Sequence, residues 1–190
     1  WRHNRDLNQI VLSSFHLSPQ NLDAYLRALR SFRPAVMDGY PSSLYILARM
    51  LLNRGERLPV RAAITSSETL YDFQREAIEA AFDCRVFDYY AAAERVIFSV
   101  ECDHHTGHHL CEEYGITEVL DDTDQPLPAG TEGYLVGTTL HNCGMPLIRY
   151  RTTDRGAFKE VRCSCGRPLQ LAADVTTKAE DLLRLRDGRL

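Results

Sequence analysis

Residues 61–90 read RAAITSSETLYDFQREAIEAAFDCRVFDYY. The stretch opens on a short apolar run, RAAIT, passes through the polar loop SSETL, and continues into the amphipathic pattern YDFQREAIEAAFD. It closes on a second apolar run, CRVFDYY. Strand, loop, helix and strand in that order are the repeating unit of an α/β fold with a parallel sheet. Thr69 is the predicted helix cap. In such sheets ligands sit beyond the carboxyl ends of the strands. Thr65–Leu70 and Asp88–Glu94 are therefore candidate ligand loops.

The preceding residues extend the alternation. LSPQNLDAYLRALRSF predicts a helix capped by Ser18, with Pro19 in its first turn and a stripe of Leu22, Tyr25, Leu26 and Leu29. PAVMDGY predicts a strand that runs into a third candidate loop, Asp38–Ser43. PSSLYILARMLLNRG predicts a helix capped by Ser42 or Ser43 and stopped near Gly55. The three loops are expected to converge on one crevice.

After about Ser99 the texture changes. GITEVLD, GYLVGTTL and PLIRYRT are short alternating runs, and DDTDQPLPAGTEG is a turn-rich connector. This half is predicted to be antiparallel, a small barrel or meander. The expected organisation is an α/β sheet subdomain at 1–99, a β-rich subdomain at 100–175, and a hinge at 176–190.

The composition excludes several partners. A net charge of −4 over 190 residues gives no electrostatic footprint for nucleic acid or an acidic membrane. The longest apolar runs, such as SLYILARMLL, are too short to span a bilayer. The first residues carry no signal-peptide core. The chain starts without Met and stops without a closing element, so a fragment of a longer protein is expected. Six cysteines without a secretory signal favour a reducing compartment, hence the cytoplasm. There, cysteines bind metal or sit in cores. Cys84 and Cys143 lie in apolar or glycine-containing stretches and are read as buried thiols.

Two acids stand out. Glu94 follows a predicted strand and three alanines. It can be the N-terminal glutamate of a helix beginning ERVIFSV, where the helix dipole favours it. Composition alone favours that reading over the other, a carboxylate beyond a strand end that holds magnesium against phosphates, with small residues at 91–93 admitting a ligand. Tyr89 and Tyr90 offer flat faces for a base. Asp154, in the polar loop TTDRG, can accept from both ribose hydroxyls of a nucleotide or be an ordinary turn aspartate.

The remaining cluster is metal-like. Cys163 and Cys165 are one residue apart and followed by glycine. Upstream, Cys102 precedes His104, His105, His108, His109 and Cys111. Four such ligands make a closed structural zinc site, and nothing in the spacing asks for an open catalytic one. Such a zinc would staple the loop after Glu94 to the hairpin near residue 163.

The segments GYPSSLYILA, ITSSETL, VFDYYAAAE, ECDHHTGHH, EYGITEVLD, NCGMPLIRYRTTDRG and CSCGRP, in this order, resemble the phenylacetate-CoA ligase family. The similarity is to its branch of capsule-biosynthesis-like and coenzyme F390 synthetase-like proteins within the adenylate-forming superfamily, from about Ala35 to the end. The resemblance implies part of the large domain of an enzyme that activates an aryl or acyl carboxylic acid with ATP and transfers it to a thiol such as CoA. It implies Tyr90 as the adenine-stacking tyrosine, Glu94 as the magnesium-linked catalytic glutamate and Asp154 as the ribose ligand. Ser66, Ser67 and Glu68, with Tyr89, border the nucleotide. It also implies structural zinc on Cys102, Cys163, Cys165 and either His108 or His109.

Departures accompany these matches. Ala91–Ala93 replace the glycine and hydroxyl-bearing residues usual before Glu94, so Ala93 has no hydroxyl for an α-phosphate. At the hinge, Thr177-Lys178-Ala179-Glu180-Asp181 stands for Gly-Arg-x-Asp-Asp, and Lys178 keeps the charge without the arginine fork. The phosphate-binding loop and the small C-terminal domain are not in this segment, so catalysis is not expected of the segment alone. Small-molecule acid and nucleotide are the implied ligands, and a homodimer is a possible assembly. The alternative is a non-catalytic, zinc-stapled nucleotide-binding or interaction module.

Overall fold

The computed structural model describes residues 1–173, 175, 177 and 178. The chain divides into two compact units, 1–86 and 87–190.

The first unit begins with a small antiparallel hairpin, β1 (Arg2–Asn4) and β2 (Gln9–Val11), and a short 3-10 turn. Three helices follow, α1 (Leu22–Phe32), α2 (Pro41–Asn53) and α3 (Asp72–Phe82), interleaved with β3 (Val36–Gly39) and β4 (Ala62–Ser66). β3 and β4 pair in parallel, from Val36 opposite Ala62 to Gly39 opposite Thr65. This is the helix and parallel-strand alternation read from residues 61–90. Leu22, Tyr25, Leu26 and Leu29 are all buried, as their stripe predicts. The three leucines share one core with Leu44, Leu47, Leu51, Ile78, Phe82 and Val86.

The predicted caps are displaced. α1 starts after Asn21, whose amide donates to the Ser18 carbonyl at 3.1 Å, so Ser18 and Pro19 form a lead-in turn. α2 is capped at Tyr40, with Pro41 in its first turn and Ser42 and Ser43 already helical. A proline fits there because its missing N–H has no partner in the first turn anyway. α3 begins after Tyr71 rather than Thr69, because the Gln74 side chain reaches back to accept from the Tyr71 amide at 3.1 Å. The loops are also shorter than predicted. Asp38 and Gly39 belong to β3, leaving only Tyr40 before α2. Cys84, read as a buried thiol, is only half-buried, packed against the outside of the first core.

The second unit is antiparallel. β5 (Arg85–Ala91) pairs with β6 (Phe98–Glu101), β6 with β7 (His108–Leu110), and β7 with β11 (Leu171–Ala172). A further sheet contains β8 (Gly115–Leu120), β9 (Gly133–Thr139), β10 (Tyr150–Gly156) and β12 (Thr177–Lys178). Its order is β12-β10-β9-β8, an open sheet rather than a closed barrel among the described residues. Ala92, Val96, Ile97, Leu110, Val119, Leu135 and Ala172 form the core of this unit.

Three sequence readings change here. Residues after Glu94 do not start a helix: they turn and lead into β6. The stretch TTDRG is not a loop, since β10 runs through it. Cys143 is exposed, because Asn142-Cys143-Gly144 lies in a turn outside the sheet. Ala179, Glu180 and Asp181 of the predicted hinge lie outside the described residues.

Close backbone approach constrains this unit at Gly107, Gly115 and Gly133, most tightly at Gly115. A Cβ on Gly115 would stand 2.2 Å from the Val96 carbonyl oxygen. Gly115→Ala is therefore expected to destabilise by about 1–3 kcal/mol, as overpacking does. The measurement is a denaturant titration, where the midpoint falls while the slope holds. An unchanged midpoint would show that β8 can shift freely.

Candidate functional site

In the first unit, β4 ends at Ser66, and Ser67 turns the chain with φ of 69°. The Ser66 and Ser67 hydroxyls lie 3.4 Å apart. Glu68 accepts from the Ser42 amide and the Ser42 hydroxyl, both at 3.0 Å. Its charge thus faces the amide-rich start of α2, where a carboxylate is favoured.

In the second unit, the strand alternation of β5 separates the two tyrosines. The Tyr89 ring lies against Phe98, with centroids 5.8 Å apart. The Tyr90 hydroxyl instead donates to Asp154 Oδ2 at 2.7 Å. Burial, then the hydrogen bond to Asp154, pushes the Tyr90 phenol far above its usual range, so it remains a donor. The Tyr90 ring packs against the core of this unit.

Asp154 owes its aim to an irregularity in β10. The pairing with β9 shifts between Arg151 and Arg155. Within the shift, the Thr152 hydroxyl donates to the Leu135 carbonyl at 2.8 Å and accepts from the Asp154 amide at 3.1 Å. A bulge of this kind re-aims the side chain that follows it.

A second tyrosine bond crosses back. The Tyr150 hydroxyl, on β10, donates to Glu94 Oε1 at 3.0 Å. β5, with the turn after it that carries Glu94, is thus joined to β10 by two tyrosine-carboxylate bonds in opposite directions. Tyr150 and Thr152 escaped the sequence reading. Their signal was position: both lie within the same RYRTTD run as Asp154. Lys178 stands opposite Asp154 in the backbone register of β10 and β12.

The cysteine and histidine residues gather near the end of β6. Donor atoms of Cys102, His109, Cys163 and Cys165 all lie within 4.8 Å of one another. The Cys102 and Cys163 sulfurs are 3.6 Å apart, and the Cys165 sulfur is 3.4 Å from His109 Nε2. A tetrahedral zinc with these ligands has sulfur-sulfur edges of about 3.8 Å and sulfur-nitrogen edges of about 3.5 Å. The donor set therefore fits zinc in both type and spacing. Alternation on β7 separates the two candidate histidines. His109 Nε2 meets Cys165, while His108 Nε2 lies 3.6 Å from Asp88 Oδ2. His109, not His108, joins the cluster.

The thiols differ in readiness. The Thr106 hydroxyl donates to the Cys163 sulfur at 3.2 Å, and with the Cys165 backbone it draws the Cys163 thiol down to about 6. Burial pushes the Cys102 thiol up. His104 hydrogen-bonds Ser164 and His105 hydrogen-bonds Glu101, so both sit beside the cluster without joining it. Cys111 stays outside it.

No family model matches the chain. Over 165 residues it is 32% identical to the phenylacetate-coenzyme A ligase of Thermus thermophilus, an alignment taking in 83% of this chain and 37% of that protein. Over 104 residues it is 38% identical to Protein CapK of Staphylococcus aureus, taking in 53% of this chain and 23% of that protein. A solved structure of 2-hydroxyisobutyryl-CoA ligase, in the postadenylation state in complex with 2-HIB-AMP, superposes on 90% of this chain and 38% of its own. The TM-score is 0.76 at 22% identity, which shows a shared fold. The chain spans well under half the length of these relatives.

Proposed function

We propose that this chain, similar over 83% of its length to a phenylacetate-coenzyme A ligase, is a segment of an AMP-forming ligase of that family. The whole protein would activate an aryl or acyl carboxylic acid with ATP to an acyl-adenylate and pass the acyl group to a thiol such as CoA. The observation that carries this reading is the pair of bonds that hold Tyr90 to Asp154 and Tyr150 to Glu94 in one unit. Residues implied for adenine, ribose and phosphate are thereby adjacent in a single arrangement.

Each group has a chemical task. Asp154 supplies a carboxylate that can accept from the ribose diol, which fixes the nucleotide's position. Tyr90, braced by the core, offers a ring for the base. In the second unit Tyr89 would border the nucleotide, and Lys178 would add positive charge; Ser66, Ser67 and Glu68 are the loop residues that the resemblance implies in the first unit. Glu94 fits magnesium as a single hard oxygen ligand, because Oε1 is engaged by Tyr150 and Oε2 has no hydrogen-bond partner among the described residues. Magnesium bound there with the phosphates would offset the charge of the departing pyrophosphate. Zinc held by Cys102, His109, Cys163 and Cys165 would be structural, since four protein ligands leave no open position. A net charge of −4 supports small-molecule ligands over nucleic acid, and a cytoplasmic setting is part of the same reading.

The test is acid-dependent exchange of pyrophosphate into ATP by the full-length, zinc-loaded protein. Exchange with at least one member of a panel of aryl and acyl acids is expected. Well-folded protein that exchanges with none would overturn the enzyme reading. A second reading, a non-catalytic nucleotide-binding module stapled by zinc, is favoured by Ala93, which is exposed and has no hydroxyl to offer a phosphate. AMP binding without exchange is the result that selects it.

A further inference from the structure

Glu94 sits in a tight turn whose backbone is fixed. The Ala92 amide donates to the Ile97 carbonyl at 3.1 Å, and the Arg95 amide donates to the Ala92 carbonyl at 2.9 Å. Arg95 closes the turn with φ of 61°. These bonds fix the Cα of Glu94 but not its side chain, which keeps several rotatable bonds. The neighbours Ala91, Ala92 and Ala93 carry no polar side chain that could hold it.

The hold comes from another strand. Among the described residues, the one hydrogen bond to the Glu94 carboxylate is from the Tyr150 hydroxyl, 56 positions away in sequence. The Tyr150 ring packs against the core of its unit, so the hydroxyl is presented from a braced position. The Glu94 carboxylate in turn pushes the Tyr150 phenol up, which keeps its proton in place as a donor at neutral pH.

We propose that Tyr150 is a positioning residue: its hydroxyl orients Glu94 so that the second carboxylate oxygen is available to the divalent cation of a bound nucleotide. This rests on the reading of Glu94 as the cation-binding carboxylate. Partners of this kind, which hydrogen-bond a ligating carboxylate, commonly change metal affinity by about 10–100-fold when removed. Tyr150 therefore acts through Glu94, without touching the nucleotide itself.

The test compares Tyr150→Phe, Glu94→Gln and the double variant in the full-length protein. Calorimetry reads ATP binding with Mn2+ as the cation, and AMP binding without metal. Tyr150→Phe keeps the ring and removes only the hydroxyl. It is expected to weaken ATP binding in the presence of Mn2+ about tenfold. Metal-free AMP binding should stay within about twofold, and Tyr150→Phe should add nothing in the Glu94→Gln background. Equal losses in both backgrounds, or equal weakening of AMP, would show a structural role and overturn the proposal. An unaffected Tyr150→Phe beside a metal-responsive wild type overturns the proposal alone. A wild type whose ATP binding ignores Mn2+ overturns the reading of Glu94 and the proposal with it.

Discussion

Cys102→Ser in the full-length protein is expected to lose its bound zinc and to unfold at least about 10 °C below the wild type, and a strong chelator should do the same to the wild type. The reason is where the ligands come from. Cys102 follows β6, His109 lies on β7, and Cys163 and Cys165 lie in the loop between β10 and β11. The apolar support around these cysteines is small, consisting mainly of the sulfurs themselves and Leu171. A site with so little surrounding core would draw its stability from a bound metal, whose binding free energy becomes folding free energy. Acidification should also weaken zinc binding. The thiolates would be the ligands, and protons compete for them as pH falls; Cys102, whose thiol burial pushes up, would have to give up a proton on binding. Metal analysis and thermal unfolding check this together. A purified, reduced wild type that folds stably without metal would sink the idea.

The sequence made some of this legible and hid the rest for physical reasons. Periodicity was enough for α1, whose stripe of Leu22, Tyr25, Leu26 and Leu29 is buried in full. It was enough for the parallel strands β3 and β4, which are short apolar runs between helices. Helix starts were harder. Ser18, Ser42 and Thr69 all have capping side chains, yet Asn21, Tyr40 and Tyr71 hold the positions. Pro41 decides one start by its fixed backbone, and Gln74 decides another by bonding backward, so the cap residue's own propensity lost to its neighbours. The zinc ligands could be counted from spacing, but the choice of His109 over His108 required knowing that β7 is extended and which face it buries. Asp154 looked like a turn residue because Thr152, Asp154 and Gly156 are typical of turns. What keeps the strand going is the Thr152 hydroxyl, which replaces the broken ladder with its own bonds to Leu135 and Asp154. No local pattern announces Tyr150, because its bond to Glu94 is made across the fold.

Asp154→Ala is expected to raise the dissociation constant for AMP by about 100-fold or more, since hydrogen bonds to a charged group contribute about 1.5–3 kcal/mol each and the ribose offers two. The carboxylate has capacity for this while keeping its partner. Tyr90 occupies Oδ2 at 2.7 Å, and two oxygens provide about four acceptor positions. The prediction separates recognition from mere stability through the sugar. Wild-type protein should bind AMP much more tightly than 2′,3′-dideoxy-AMP, while Asp154→Ala should bind the two about equally. Stability will also change, because the half-buried Tyr90 hydroxyl loses its acceptor, at a cost of about 1–3 kcal/mol. Tyr90→Phe provides the control for that part. It removes the same bond from the other side but leaves the carboxylate free for ribose, so it should keep the preference for AMP over the dideoxy compound. If Asp154→Ala still prefers AMP, the ribose lies elsewhere. The bond to Tyr90 would then be a structural tie between β5 and β10.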